Sequence, residues 1–327
     1  MNYIVLGLEW NQASSVQYEN PRIPFEIIEI GAIKLDEQFN IIDEYSSIIK
    51  PRLYKKLHYK IREMLNYDET ILRKGRPFDM VCREFVKWCG EDFTFCTWGP
   101  LDLYNLQQNM DYYYLKSLPY PLKFYNIQDI FASLQEEEHP STKLEKAVTS
   151  LDIDIDKSKP FHAAINDARY SAYVLAKLSI PNFEDLYTID YYHHPVDKDS
   201  EIRSYHSNYT EYISREFNNK RSVMEDKDIT TLRCYKCKRR LSKKVKWFVS
   251  TPTTSLCAGR CWTHGFVCGK IKFKNSNEDN VFVVKTTEGI SKDAFENIKI
   301  RQDELRLKRK QKRNNKKQST VTAASQK

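Results

Sequence analysis

Tyr3-Ile4-Val5-Leu6-Gly7-Leu8-Glu9-Trp10 is the stretch around which the rest of the chain is organised. Its apolar composition predicts a short buried strand. Because side chains alternate along a strand, the odd-numbered residues share one face, and these include Gly7 and Glu9. A carboxylate buried at the end of a strand costs roughly several kcal/mol unless a cation compensates it. Glu9 therefore predicts a metal ion, and Gly7 occupies the position at which an Asp-x-Glu pair would have its first carboxylate.

The composition bounds the class of protein. With 327 residues, 41% apolar and 13% aromatic, the chain can form one sizeable domain and a smaller one. A mean hydropathy of -0.65 argues against a membrane protein. The sequence has no apolar run near the ~18 residues of a membrane span and no signal-peptide pattern at its start. We therefore expect a cytoplasmic protein without membrane association.

The net charge of +8 is concentrated at one end of the sequence. Residues 291–327 contain 12 Lys/Arg and 4 Asp/Glu, so the remainder is close to neutral. Such a basic segment is typical of nucleic-acid binding. A solubilising or disordered tail is an equally good interpretation of the composition alone.

The order of apolar segments predicts an α/β fold with a mixed sheet flanked by helices. Three strands connected as an antiparallel meander come first, at 3–10, 25–35 and 41–50. Strands and helices then alternate, with strands at 93–98 and 122–130, the second followed by a short helix, and with further helices beginning after Pro77, after Pro100, at Leu144 and after the junction at His162. We expect this first domain to span residues 1–182 and to end near Pro181. Residues 183–230 are polar and rich in Tyr, which predicts a partly helical linker.

Three further polar residues are weak signals when each is taken alone. Asp102 falls in the first turn of a predicted helix, where acidic residues usually compensate the helix dipole. His162 lies at a loop-to-helix junction, where a histidine is more often structural. Asp167 follows it at a His-x4-Asp spacing.

Taken together, these residues and their surroundings resemble the DEDDh 3′–5′ exonucleases, which have the ribonuclease H-like fold. The resemblance extends to the subgroup that contains the histone-mRNA exonuclease of animals and the bacterial sporulation inhibitor KapD. It is carried by the following stretches, which cover nearly all of residues 1–180: YIVLGLEWN, EIIEIGAIKLDE, IIKPRLYKKL, GRPFDMVCREFVKW, TWGPLDLYNL and FHAAINDARYSAYVLAKL.

The resemblance implies a role for each matching residue. Glu9, Asp102 and Asp167 would be ligands of two Mg²⁺ or Mn²⁺ ions, and His162 would be the general base that acts on the attacking water. The substrates implied are single-stranded 3′ ends of RNA or DNA. The family's leading aspartate, normally shared by both ions, falls on Gly7. We therefore expect hydrolysis to be impaired by about two orders of magnitude or more.

The cysteines fall into two groups. Cys82, Cys89 and Cys96 are scattered and predict buried packing residues. In the second half, Cys234-x2-Cys237 and Cys261-x2-His264 form the paired spacing that is typical of a tetrahedral structural Zn²⁺ site. Cys257 and Cys268 leave the choice of ligands open, with Cys257 as a possible substitute. The alternative is a small reduced domain with buried cysteines.

We expect the zinc-binding module to span residues 231–290, and it resembles a zinc-ribbon-like segment of bacterial exonucleases. Ser291 caps a predicted helix, so 291–327 should form a basic helix and a disordered tail. Trp247, Phe248 and Trp262 either stack on bases beside this helix or, as we favour, belong to the core of the module.

Three functions are therefore compatible with the sequence. The first is a metal-dependent 3′–5′ exonuclease whose activity is reduced by Gly7. The second is a nucleic-acid-binding protein that has lost catalysis at that position. The third is a protein–protein adaptor that acts through the zinc module.

Overall fold

The computed structural model divides the chain into two units, Met1–His193 and His194–Lys327. It describes residues 1–65, 69–134, 142–178, 180, 182–276 and 280–324, and it describes side chains as far as residue 311. Pro181, near which the first domain is predicted to end, lies outside the described residues. Within the described ranges, no helix is both long enough and apolar enough to cross a membrane.

The first unit contains six strands and seven α-helices in its described residues. In chain order they are β1 (Asn2–Gln12), β2 (Phe25–Leu35), β3 (Ile41–Ile48), α1 (Tyr59–Met64), α2 (Glu69–Arg73), α3 (Phe78–Cys89), β4 (Phe93–Thr97), α4 (Leu101–Tyr112), β5 (Lys123–Asn126), α5 (Ile127–Leu134), α6 (Leu144–Ser150), α7 (Ala164–Lys177) and β6 (Thr188–Ile189).

These strands form one mixed sheet in the order β3-β2-β1-β4-β5-β6. The first three strands are the predicted antiparallel meander, and β1 pairs in parallel with β4, which pairs in parallel with β5. The predicted mixed sheet flanked by helices is therefore confirmed as a ribonuclease H-like fold. One boundary differs: the segment 127–130, predicted as strand, begins α5, so β5 ends at Asn126.

The two faces of β1 lie in separate cores, as its alternation predicts. Ile4 and Leu6 pack with α3 and α4 on one side of the sheet, and this core also contains Cys82 and Cys89. Tyr3 and Val5 pack with α5, α6 and α7 on the other side, together with Cys96. Gly7 and Glu9 continue this second face, so β1 directs them towards α7.

The second unit is built on a separate antiparallel sheet with the order β7-β8-β12-β11-β10-β9. Its elements are β7 (Ile202–Tyr205), β8 (Tyr209–Ile213), α8 (Lys220–Glu225), α9 (Lys227–Thr230), β9 (Lys243–Thr251), β10 (Thr254–Cys261), β11 (Gly265–Asn275), β12 (Val281–Ile290) and α10 (Lys292–Ala324). The start of α10 packs on this sheet, because Phe295 is buried and stacks on Phe266 with ring centroids 4.6 Å apart.

The predicted linker 183–230 differs from what the structure contains. Strand β6 completes the sheet of the first unit, while β7 and β8 belong to the sheet of the second. These strands are only two to five residues long, and β6 and β8 also pair with strands distant in sequence, so local pattern does not identify them. The tail also differs from prediction, since helix α10 continues to Ala324.

Candidate functional site

Three predicted carboxylates converge beside the end of β1. Glu9 lies on the strand itself. Asp102 lies in the first turn of α4, where its Oδ1 accepts a 3.2 Å hydrogen bond from the Leu8 amide. Asp167 lies in the first turn of α7, where its Oδ1 accepts a 3.2 Å hydrogen bond from the His162 amide. The fold thus brings the ends of β1, α4 and α7 to one place.

The pKa values of all three carboxylates are raised, first by burial and then by the neighbouring negative charges. Burial, and after it the carboxylates of Asp167 and Glu29, raises the pKa of Glu9 to about 9. Burial raises the pKa of Asp102 to about 8, although the Leu8 amide favours its charged form. Burial likewise raises the pKa of Asp167 to about 6, against the hydrogen bond from the His162 amide. A cation would relieve this repulsion.

The donor chemistry fits a hard divalent ion, because Mg²⁺ and Mn²⁺ take carboxylate oxygens. These three carboxylates nevertheless do not form a complete set of metal ligands. In the described part of the chain, the only compact group of three or more potential metal ligands is a Cys/His cluster in the second unit. Glu9, Asp102 and Asp167 do not form another such group.

The backbone of α7 occupies the space beside Gly7. A Cβ atom on Gly7 would lie 2.5 Å from the carbonyl oxygen of Ala164 and 3.2 Å from the amide nitrogen of Ala168. Gly31 is the partner of Gly7 across β1 and β2, and a Cβ there would lie 2.0 Å from the amide nitrogen of Ile165. The first turn of α7 therefore rests on two paired glycines. An aspartate at position 7 requires this helix to move.

His162 stands next to the carboxylates, with its side chain directed to a different partner. Its backbone has a φ of +66°, an uncommon conformation for a non-glycine residue. The imidazole is 43% exposed, and its Nε2 lies 3.5 Å from Oε1 of Glu145. The imidazole is accessible to a water or a substrate, as a general base must be.

Glu29 is a site residue that the sequence analysis missed. It lies directly opposite Glu9 in the β1–β2 ladder, it is buried, and its charge raises the pKa of both Glu9 and Asp167. An acidic residue inside the apolar run of β2 was the available signal. Glu26, on the same strand, has a structural task, because its carboxylate accepts hydrogen bonds from the amides of residues 52–54.

The Cys/His cluster in the second unit consists of Cys234, Cys237, Cys261 and His264, whose ligand atoms all lie within 4.8 Å of one another. The Sγ atoms of Cys237 and Cys261 are 3.7 Å apart, and Nδ1 of His264 lies 3.4 Å from Sγ of Cys234 and 3.7 Å from that of Cys261. A tetrahedral Zn²⁺ with ordinary bond lengths requires about 3.8 Å between sulfurs and about 3.6 Å between sulfur and nitrogen. The cluster therefore fits zinc.

Backbone amides next to this cluster favour the thiolate form of one of its cysteines, and a thiolate is the form that binds a cation. Burial opposes ionisation of Cys261, but hydrogen bonds from the amides of Thr263 and His264 lower the pKa of its thiol to about 6. Burial raises the pKa of the Cys234 thiol. Cys257 lies in mid-strand opposite Gly269, outside the cluster, and burial raises the pKa of its thiol to about 12.

The three aromatic residues of the module have different environments. Trp247 is partly buried and donates a 2.8 Å hydrogen bond from Nε1 to the carbonyl of Thr230, and Phe248 is buried against α10. Both belong to the core, as favoured from the sequence. Trp262, in the hairpin turn between Cys261 and His264, is instead 95% exposed.

Comparisons with known proteins bear on the first unit. Residues 17–175 match the family model described as RNase_T, Exonuclease. A search of the curated proteins gave no match.

Solved structures gave several similarities. A full-length 3′-exonuclease is 17% identical over 54% of this chain and 80% of that chain, with a TM-score of 0.48. The nuclease domain of 3′hExo, a DEDDh family member bound to rAMP, is 18% identical over 54% of this chain and 90% of that chain, also with a TM-score of 0.48. Exonuclease I of E. coli, in complex with a dA16 oligonucleotide, is 10% identical over 79% of this chain and 54% of that chain, with a TM-score of 0.47.

Proposed function

We propose, from the exonuclease-family domain in the first unit, that this protein is a DEDDh-type 3′–5′ exonuclease that hydrolyses single-stranded RNA or DNA ends slowly. The observation that carries the proposal is the convergence of Glu9, Asp102 and Asp167 beside the end of β1, with His162 at the start of α7. Mg²⁺ or Mn²⁺, when bound, would supply Lewis-acid stabilisation of the phosphate and activation of water.

The roles of the side chains follow from their positions. Glu9 and Asp167 would hold the ion on the side of the attacking water, and Asp102 would face the ion on the side of the leaving 3′ oxygen. The half-exposed imidazole of His162 would accept the proton of that water. The Leu8 and His162 amides each donate a hydrogen bond to one oxygen of Asp102 and Asp167, which orients these carboxylates.

The absence of a side chain at position 7 supports the slow rate, because glycine supplies no oxygen ligand where the family pattern has the aspartate that both ions share. We therefore expect turnover about two orders of magnitude or more below that of an enzyme with the full ligand set.

A nuclease assay on labelled RNA and DNA oligonucleotides tests the proposal, with Mg²⁺ or Mn²⁺ and with the wild type and the variants Gly7→Asp, Gly7→Ala and Asp167→Asn. We expect slow release of 5′-mononucleotides by the wild type, faster release by Gly7→Asp, no gain for Gly7→Ala and no release by Asp167→Asn. Equal rates for the wild type and Gly7→Asp would refute the impairment. Equal rates for the wild type and Asp167→Asn would refute the site.

The contact between α7 and Gly7 also favours a second candidate function, a nucleic-acid-binding protein without catalysis. In that case no variant except Gly7→Asp releases mononucleotides, while all of them bind RNA in a salt-sensitive manner. A truncation after residue 311 tests the contribution of the basic tail. It keeps Phe295 and Gln302, which α10 uses to pack on its own sheet. The absence of salt-sensitive RNA binding in the full chain would instead favour the protein adaptor.

A further inference from the structure

The second unit contains a cavity of about 230 Å³ next to the Cys/His cluster. Four basic side chains line it: Arg203, Arg233, Lys238 and Lys285. At about 30 Å³ per water molecule, the space exceeds that of a few ordered waters and is sufficient for a small polar group. The cavity is separate from the carboxylate site, which lies in the other unit.

The register of the sheet explains why basic residues meet here. Arg203 of β7 and Lys285 of β12 both pair with Tyr212 of β8, so these three residues form one cross-strand row. The guanidinium of Arg203 lies 4.3 Å from the centre of the Tyr212 ring. Arg233 and Lys238 reach the same cavity from the segment that carries Cys234. Both the sheet and the metal-binding loop thus contribute positive charge.

The carboxylates in the lining do not balance this charge. Only Glu211 and Asp228 line the cavity with the four cations, within the described residues. Asp228 has a cation of its own, because Nζ of Lys198 lies 3.4 Å from its Oδ2. Glu211 pairs with Ser204 and alternates to the opposite face of β8 from Tyr212. The cavity therefore retains a net positive charge.

Lys285 is the most unusual member of the group. It is 8% exposed, and its Nζ donates a 2.7 Å hydrogen bond to the carbonyl oxygen of Thr231. Burial lowers the pKa of its ammonium group to about 8; Cys257 acts in the opposite direction, and the charges of Arg203 and Arg233 lower it further. A lysine is almost never buried in this way without a partner of opposite charge. An anion in the cavity would supply that partner.

We propose that this cavity binds a phosphate group of a nucleic acid or nucleotide. Phosphate is small, carries up to two negative charges and offers several acceptor oxygens, and Arg203 is exposed enough to bind it in a bidentate manner. The ring of Tyr205, which is 58% exposed and also lines the cavity, provides a surface for the attached sugar or base. The site extends the proposed nucleic-acid interaction to the second unit and does not depend on hydrolysis.

Binding measurements on the zinc-loaded full chain, without added Mg²⁺ or Mn²⁺, test this site. Three probes are titrated: inorganic phosphate, AMP and a covalently closed single-stranded DNA circle. Because the circle has no 3′ end, its binding is distinguishable from success or failure of the exonuclease. Binding of AMP or phosphate in competition with the circle would identify the ligand as a free nucleotide or phosphate group. Binding of the circle alone would identify a polynucleotide backbone.

The variants are Arg203→Met and Lys285→Met, with Lys244→Met as the control. Lys244 is exposed on β9 and does not line the cavity, so the control makes the same change in net charge. We expect each cavity variant to weaken binding about tenfold and to reduce the salt dependence by about one charge. The control should bind like the wild type.

A purely structural role for Lys285 makes a different prediction. If Lys285 serves only to attach the sheet to Thr231, Lys285→Met lowers the melting temperature and leaves binding of all three probes unchanged. Arg203→Met, which leaves that hydrogen bond intact, would then also bind every probe like the wild type. Unchanged binding by Arg203→Met, or an equal loss in the Lys244→Met control, would overturn the proposal.

Discussion

The contact between α7 and Gly7 predicts that adding a single methyl group at this position destabilises the first unit. In Gly7→Ala the new Cβ lies 2.5 Å from the carbonyl oxygen of Ala164, which belongs to backbone and cannot rotate away. Lengthening this to an ordinary 3.4 Å contact requires about 0.9 Å of movement by the start of α7. That helix is anchored by Ala168, Ala172 and Leu175, all fully buried against the sheet.

The magnitude follows from the cost of overpacking. Extra atoms in a well-packed core cost about 1–3 kcal/mol when backbone must shift. For a unit of this size, 1 kcal/mol corresponds to about 2–4 °C in melting temperature, so we expect a decrease of about 2–12 °C. Gly31→Ala should cost more, because its Cβ would approach the Ile165 amide nitrogen to 2.0 Å.

The assay must report on the first unit alone, because a chain with two units need not unfold in one step. Amide hydrogen exchange read by mass spectrometry gives the opening of α7 and β1 directly. Gly90→Ala is the control: it adds the same methyl group where nothing lies within 4 Å, at a φ of +91°. It should cost about 1 kcal/mol through backbone strain and leave exchange in α7 unchanged. Wild-type protection of α7 in Gly7→Ala would refute the inferred contact.

Two further predictions concern charge and metal. Asp190→Asn should stabilise the first unit at neutral pH by roughly 1 kcal/mol, because burial raises the pKa of Asp190 and asparagine can still accept the 2.8 Å hydrogen bond from Gln107. The raised pKa means that the wild type regains this stability as the pH falls towards 3.8, so the difference in melting temperature should shrink in acid and persist in neutral buffer. Cys261→Ser should abolish zinc binding, as measured by atomic emission, and should increase proteolysis of the second unit. Cys257→Ala should keep one zinc per chain. The reverse pattern would show that the ligand set is wrong.

Much of the fold was predictable because it rests on local periodicity. The two faces of β1, the limits of β2 and the helices that carry Asp102 and Asp167 follow from alternation and turn residues. The short strands β6, β7 and β8 were not predicted, because β6 and β8 pair with strands far away in the chain and β7, at the edge of the sheet, pairs only with β8.

The candidate sites were likewise predictable only where they depend on local spacing, and not where they depend on strand pairing. The spacing of Cys234 and Cys237 indicates one half of a zinc site, but the choice between Cys257 and His264 depends on strand register. Cys257 pairs with Gly269 in the middle of the β10–β11 ladder, while Cys261 and His264 lie at its hairpin end. The basic cavity is a similar case, since it is assembled from strand and loop segments separated by many residues.

The charges of the carboxylate site determine how the residue at position 7 affects the stability of the first unit. The pKa of Glu9 is raised from 4.5 to about 9, so the folded state holds a proton that the unfolded chain releases, and the unit loses stability as the pH rises through this range. A further carboxylate at position 7, beside Glu9, Glu29, Asp102 and Asp167, would increase this cost in the absence of a divalent ion. Gly7 therefore weakens the proposed metal site while it stabilises the metal-free unit. Asn and Asp are nearly equal in size, so the difference in stability without metal between Gly7→Asn and Gly7→Asp measures the charge repulsion. Addition of Mg²⁺ should reduce that difference only if Asp at position 7 becomes a ligand.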